Sequence, residues 1–199
     1  MKIQMRFQKI FMLVALIIAA LSAVYALLFC SGTLFQIHQN AILYNTKSGE
    51  ETVAGIKDLY EASQGVSDTL LIMGIVMILV VALNYITGTG KRRKYYVTNY
   101  VSIGIAIAYS LTLAIVIIAL VVNCQSLVDK IDWVAAKDEF ESMIPGEWKY
   151  TTWTLPTGYA MAVLLLLVCG GFVANLVWKI KLMQGEKKLL ESGLVREVA

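Results

Sequence analysis

The chain is 199 residues long, and 58% of these residues are hydrophobic while only 16% are charged. A soluble domain of this size carries about a quarter charged residues, so this composition and a mean hydropathy of +0.69 exclude the soluble enzyme folds. The net charge of +3 does not indicate nucleic-acid binding, because basic and acidic residues are sorted into different parts of the chain.

Four segments without Asp, Glu, Lys or Arg set the predicted architecture. They cover residues 10–30, 69–88, 100–123 and 158–178. A helix of about 20 apolar residues spans a hydrocarbon core of about 30 Å, and the backbone groups of a lipid-embedded segment must be satisfied within that segment. The sequence therefore predicts an all-α polytopic membrane protein, built as a bundle of four transmembrane helices.

The first of these segments also has features of a secretory signal peptide, since Lys2, Arg6 and Lys9 precede it. The apolar region of a signal peptide is about 7–15 residues long. Residues 10–30 form an uncharged run of 21 residues. We therefore expect a retained transmembrane helix.

The distribution of charge favours one orientation in the membrane. Residues 1–9, 89–99 and 179–199 together hold 12 basic and 3 acidic residues, a net charge of +9. The opposite side, residues 31–68 and 124–157, holds 5 basic and 11 acidic residues, a net charge of −6. Because cytoplasmic loops are enriched in Lys and Arg, we expect a multi-pass plasma-membrane protein with both termini in the cytoplasm.

The short loop between the second and third spans contains a run of four basic residues. This run is Lys91, Arg92, Arg93 and Lys94. Short loops influence orientation most strongly, so topology is a sufficient explanation of the run. A second reading is that it holds anionic lipid headgroups, at about 1 kcal/mol for each basic residue near the surface.

The two external loops are expected to form a small, partly helical extracellular cap. Residues 48–51 read Ser-Gly-Glu-Glu, the pattern of a capping box, and predict a short amphipathic helix over about 49–63. Apolar residues at helical spacing over 127–138 predict that the third span continues outward as a helix, until Pro145 and Gly146 turn the chain back. The alternative is two separate amphipathic segments on the membrane surface.

The spans lack the residues that catalysis and metal binding require. No span carries an Asp, Glu or His, His38 is the single histidine, and no P-loop motif occurs. We therefore expect a protein that is not an enzyme and that needs no metal or cofactor. Asn84 and Asn175 lie near the cytoplasmic ends of their spans and are expected to form interhelical hydrogen bonds, worth on average about 0.6 kcal/mol.

Small residues recur at every fourth position in three of the spans. They are Ala15, Ala19 and Ala23 in the first span, Gly104 and Ala108 in the third, and Gly170 and Ala174 in the fourth. Such ridges let helix backbones approach closely, because lipid supplies no hydrophobic force between helices. One reading is packing within the bundle, and the other is that one ridge faces a partner subunit.

Two cysteines are predicted at the same depth, since Cys30 ends the first span and Cys124 ends the third. At the external boundary they can oxidise to a disulfide that joins two helices. Bridging requires Cα atoms within about 7 Å, so two free thiols remain the alternative.

Three patches of the sequence resemble small bacterial four-span membrane proteins that are encoded beside carbohydrate ABC importers. The patches are residues 23–27 (Ala-Val-Tyr-Ala-Leu), residues 91–96 (Lys-Arg-Arg-Lys-Tyr-Tyr) with Asn99 and Tyr100, and residues 175–183 (Asn-Leu-Val-Trp-Lys-Ile-Lys-Leu-Met). The resemblance implies an accessory subunit of a transporter and brings no catalytic or binding residues with it.

The leading functional expectation is a non-enzymatic accessory or scaffold subunit of a bacterial carbohydrate ABC importer. Its partners would be permease-type membrane subunits, an extracellular binding protein and lipid, with no nucleic acid. The alternative is a self-assembling channel or facilitator for small neutral solutes. Its pore would be lined by Ser102, Tyr109, Ser110 and Thr112, because such residues pass neutral solutes without charge.

Overall fold

A computed structural model describes residues 2–31, 53–89, 96–143 and 153–191. These ranges contain five helices: α1 (Lys2–Ser31), α2 (Ile56–Thr89), α3 (Tyr96–Val128), α4 (Trp133–Met143) and α5 (Thr154–Glu191). No strand occurs within the same ranges. The protein is therefore all-α, which confirms the predicted fold class.

Four of the helices, α1, α2, α3 and α5, are long and apolar enough to cross a membrane. Their candidate spans are Arg6–Phe29, Ile56–Gly88, Thr98–Val128 and Thr154–Leu189. At 1.5 Å per residue the four helices are about 45–57 Å long, so each exceeds a hydrocarbon core of about 30 Å. Between the helix ends the outer surface is apolar, as at Ile17, Leu79 and Leu167, which are all more than 60% exposed. The chain is a multi-pass membrane protein.

The four long helices pack in chain order around a common core. α1 packs on α2, α2 on α3, α3 on α5, and α5 returns to α1. This is an up-and-down four-helix bundle, and it settles the order of the helices, which the sequence leaves open. We call the end that holds the start of α1 and the finish of α5 the termini end, and the opposite end the loop end.

The segment before the second span differs from the sequence-based expectation. In the described part of the range 49–63, which starts at Val53, there is no separate amphipathic helix, because α2 begins at Ile56 and runs unbroken into the span. The chain enters this helix through a turn at Gly55, whose φ of +89° favours glycine. Residues 48–51 and the predicted turn at 145–146 lie outside the described residues.

The third span also ends differently from the prediction. α3 stops at Val128, and a separate helix, α4, begins five residues later. The Asp132 carboxylate accepts hydrogen bonds from the backbone N–H groups of Val134 (3.0 Å) and Ala135 (3.1 Å), so Asp132 caps α4. The indole N–H of Trp133 donates to the Val128 carbonyl oxygen at 3.0 Å, which holds α4 against the end of α3.

The elements at the loop end share the hydrophobic core of the bundle. Buried residues there include Val53, Ile56, Leu59, Val128 and Ile131. The turn before α2 packs against the segment between α3 and α4, since a Cβ atom built on Gly55 would lie 3.4 Å from Ile131 Cγ1. This end of the bundle is therefore partly helical and held by apolar contacts.

Candidate functional site

The small-residue ridge of α1 is used inside the bundle. Ala15 and Ala19 are fully buried, and Ala23 is 8% exposed. A Cβ atom built on Gly74 of α2 would lie only 2.9 Å from the Cα atom of Ala23. The backbones of α1 and α2 are therefore in close contact here, and this ridge packs within the protein itself.

The small residues of α3 and α5 face outward instead. Gly104, Ala108, Gly170 and Ala174 are all exposed. A Cβ atom built on Gly104 or on Gly170 would meet no atom within 4 Å. These four residues, called here the outer small-residue face, leave open space on the surface that lipid or another helix covers.

The outward-facing residues lie at similar depth on two neighbouring helices. The Cys169 thiol of α5 donates to the Ile107 carbonyl oxygen of α3 at 3.7 Å, which fixes the register of the two antiparallel helices. From that level, Gly104 lies about 4.5 Å and Gly170 about 1.5 Å toward the termini end, at 1.5 Å per residue. Gly104 and Gly170 therefore differ by only about 3 Å in depth on two neighbouring helices.

Buried polar side chains join all four spans at the termini end. The group, called here the polar cluster, comprises Gln4, Gln8, Asn84, Thr87, Asn99, Ser102, Asn175 and Lys179. All except Thr87, which is partly exposed, are at most 8% exposed. Within lipid each such group needs a partner, so the cluster is a strong constraint on how the helices assemble.

Asn84 and Ser102 link α2 to α3. The Asn84 amide donates to the Ser102 carbonyl oxygen at 2.8 Å, and the Ser102 hydroxyl donates back to Asn84 Oδ1 at 3.0 Å. The Thr87 hydroxyl lies 3.1 Å from the same Ser102 hydroxyl. The interhelical hydrogen bond predicted for Asn84 is confirmed.

Gln4 and Asn175 link α1 to α5. The Gln4 amide donates to Asn175 Oδ1 at 3.0 Å and to Gln8 Oε1 at 3.1 Å. The interhelical hydrogen bond predicted for Asn175 is therefore also confirmed. Its partner Gln4 lies in the first turns of α1, in a stretch that the sequence analysis places outside the span.

Asn99 of α3 connects the two halves of the cluster. Its amide nitrogen donates to the Thr87 hydroxyl at 3.1 Å, and its Oδ1 accepts from Gln8 Nε2 at 3.5 Å. The same oxygen accepts a hydrogen bond from the Lys179 ammonium, which also lies 5.2 Å from the centroid of the Tyr100 ring. Asn99 thus contacts α1, α2 and α5.

The residues predicted from the sequence do not include Gln4, Gln8, Asn99 or Lys179, because all four lie outside the predicted spans 10–30, 100–123 and 158–178. A signal was nevertheless present in the spacing. Val168, Phe172, Asn175 and Lys179 follow one another at intervals of four, three and four residues, and all four are buried. Helical periodicity continued past the last uncharged residue would have placed Lys179 on the inner face of α5.

A smaller polar contact lies near the loop end. The Tyr25 hydroxyl of α1 donates to the Thr154 carbonyl oxygen at the start of α5, at 3.2 Å. Gly158 makes room for this ring, because a Cβ atom there would collide with the Tyr25 hydroxyl and with Val121. The contact fixes the loop end of α1 against α5.

Two of the predicted sites fall wholly or partly outside the described residues. Lys91, Arg92, Arg93 and Lys94 lie in the range 90–95, of which the structure describes nothing. Cys124 is buried at 1% exposure, whereas the side chain of Cys30 is not among those described. The disulfide between the two cysteines therefore stays a prediction.

The fold and the two sites define a class: an all-α membrane protein with four spans, a polar cluster inside one end and a small-residue face outside. Comparisons with known protein families, with curated proteins and with solved structures find no match for this chain. Among the described residues, no group of three His, Cys, Asp or Glu side chains could hold a metal ion.

Proposed function

We propose that this chain is a non-enzymatic accessory subunit of a larger membrane transport complex, a bacterial carbohydrate ABC importer, and that it packs laterally on the permease. The observation that carries the proposal is the outer small-residue face. The three patches that resemble four-span proteins encoded beside such importers support the same role. The ATP hydrolysis of such a complex would come from another subunit, because this sequence has no P-loop.

Helices associate in lipid without a hydrophobic force between them. Lipid chains are as apolar as leucine, so association depends on van der Waals packing, which small residues improve by letting backbones approach. The protein itself shows this use of small residues, where Ala23 meets Gly74 across α1 and α2. The open space at Gly104 and Gly170 offers the same kind of contact to a helix outside the bundle.

The test replaces Gly104 and Gly170 by leucine, singly and together, in the full chain in its native membrane. Each leucine fills open space, so the variants should fold and melt like the wild type, while recovery of permease and ATPase subunits on mild-detergent purification falls at least tenfold. Ala119→Leu and Ala160→Leu are matched controls, since both residues are exposed alanines on α3 and α5 that lie at least about 15 Å closer to the loop end. Undiminished recovery with the double variant, or no partner recovered with the wild type, contradicts the proposal.

The proposed orientation places the termini end in the cytoplasm and the loop end outside the cell. Exposed Arg6, Lys9 and Lys181 lie at the termini end, whereas α4 at the loop end exposes Asp138 and Glu141. Basic segments stay on the cytoplasmic side during insertion. In this orientation α4 offers an acidic surface to an extracellular binding protein.

We expect fusions of alkaline phosphatase, which is active only outside the cytoplasm, to be inactive at the C-terminus and active when inserted in the range 32–52. Green fluorescent protein fused at the C-terminus should fluoresce. An active phosphatase at the C-terminus would reverse the orientation.

The channel alternative has less support from the arrangement of its four residues. Ser102 and Ser110 are buried within the bundle, and the Ser110 hydroxyl donates to the Ile107 carbonyl oxygen at 3.1 Å. Thr112 faces outward, so these residues do not share one face. A purified complex containing only copies of this chain would favour the channel.

A further inference from the structure

The polar cluster contains one donor group whose hydrogen-bonding capacity is unused. Asn175 is fully buried, and its amide nitrogen Nδ2 has no hydrogen-bond partner among the described residues. Its oxygen is fixed, because Oδ1 accepts from Gln4 at 3.0 Å, so the amide cannot turn over without losing that bond. Leaving a buried donor without a hydrogen bond costs about 1–3 kcal/mol of stability, so such a group points to a bound partner.

A positive charge lies one helical turn away from this donor. Lys179 follows Asn175 by four residues on α5, which places the two Cβ atoms about 5–6 Å apart on the same face. The Lys179 side chain is 8% exposed and reaches Asn99 Oδ1 and the face of the Tyr100 ring. Both side chains therefore leave the same buried face of α5, one helical turn apart.

Two neighbouring amide oxygens already accept hydrogen bonds. Asn99 Oδ1 accepts from Gln8 and Lys179, and Gln8 Oε1 accepts from Gln4. A water molecule at Asn175 Nδ2 would bring two more hydrogens that need acceptors. An anion brings none and gains from the nearby ammonium.

We infer that Asn175 Nδ2 and Lys179 Nζ bind a small anionic group at the termini end of the bundle, on the inner face of α5. Either of two sources supplies this chemistry: a free halide ion, or the phosphate of an anionic lipid. The depth suits both, because Trp178 and Tyr100 beside the site are aromatic residues of the kind that lie at the headgroup level. The inference does not depend on the proposed accessory role.

The experiment measures the melting temperature of the purified full chain in nanodiscs. Sodium chloride is compared with sodium gluconate at equal ionic strength in phosphatidylcholine, and phosphatidylglycerol is then added in gluconate. We expect the melting temperature of the wild type to rise by about 3 °C in at least one arm, because the ligand binds the folded state only. A rise with chloride identifies a free anion, and a rise with phosphatidylglycerol alone identifies the lipid phosphate.

The decisive variant is Asn175→Asp, which keeps the acceptor for Gln4 and places a carboxylate where the amide nitrogen stands. It should abolish the anion response, and Lys179→Met should reduce it at least fivefold in apparent affinity. Asn123→Asp is the matched control, since Asn123 is exposed near the loop end of α3, and it should respond like the wild type. No response of the wild type in either arm, or an equal response of Asn175→Asp, overturns the inference.

Discussion

Replacing Gly74 by leucine should destabilise the bundle by about 3 kcal/mol or more, the upper end of overpacking costs. A Cβ atom at this position would lie 2.9 Å from the Cα atom and 3.2 Å from the backbone nitrogen of Ala23. Backbone atoms cannot rotate aside as a flexible side chain can, so α1 and α2 must separate. The measurement is the free energy of unfolding in detergent, by denaturant titration or steric trapping.

Gly170→Leu is the control for this prediction. Both glycines lie within candidate spans, and both receive the same side chain, but a Cβ atom at Gly170 meets nothing within 4 Å. Removing a glycine from a helix also relieves its propensity penalty of about 1 kcal/mol. Gly170→Leu should therefore match or exceed the wild type in stability. Equal losses for the two variants would show that the contact between α1 and α2 is not the cause.

The Asn99→Leu substitution should cost about 3–5 kcal/mol, the range for breaking a buried interaction with a charged group. Asn99 accepts from the Lys179 ammonium and from the Gln8 amide, and it donates to the Thr87 hydroxyl. Leucine is similar in size but offers none of these bonds. Three helices then lose their shared partner, and the Lys179 charge loses this acceptor inside the bundle.

A double-mutant cycle separates the charge from the other losses. Adding Lys179→Met to Asn99→Leu should recover about 1–3 kcal/mol, because the stranded charge is removed. The exposed Asn123→Leu, on the same helix, should change stability by less than about 0.5 kcal/mol. Additive single effects in the cycle would mean that Asn99 and Lys179 are not coupled.

The number and type of the spans follow from the sequence, because the insertion of a helix into lipid depends on the length and apolar composition of that one segment. Each uncharged segment lies within one long helix. The ends of the helices were harder to predict, because Gln4, Gln8 and Lys179 are polar residues whose burial depends on partners from other helices. Hydrogen bonds to Asn99 and Asn175 offset the cost of burying these polar groups, and no local sequence pattern reveals that pairing.

The small-residue ridges show a second property that the sequence does not reveal, which is the direction in which a helix face points. Ala19 and Ala23 on α1 have the same spacing as Gly170 and Ala174 on α5, yet the first pair is buried and the second is exposed. A repeat of four residues marks one face of a helix without saying where that face points. The direction depends on which helices are neighbours, and only the packing of α5 between α3 and α1 decides it.

The hydrogen bond between Gln4 and Asn175 also bears on how the protein is made. It joins residues separated by 171 positions, so the bond can form only after Asn175 and the last span have been synthesised. Until the last span enters the membrane, Gln4 lacks the acceptor that Asn175 supplies in the finished bundle. An incomplete chain thus carries an uncovered amide near the start of α1, a polar group that the finished bundle buries.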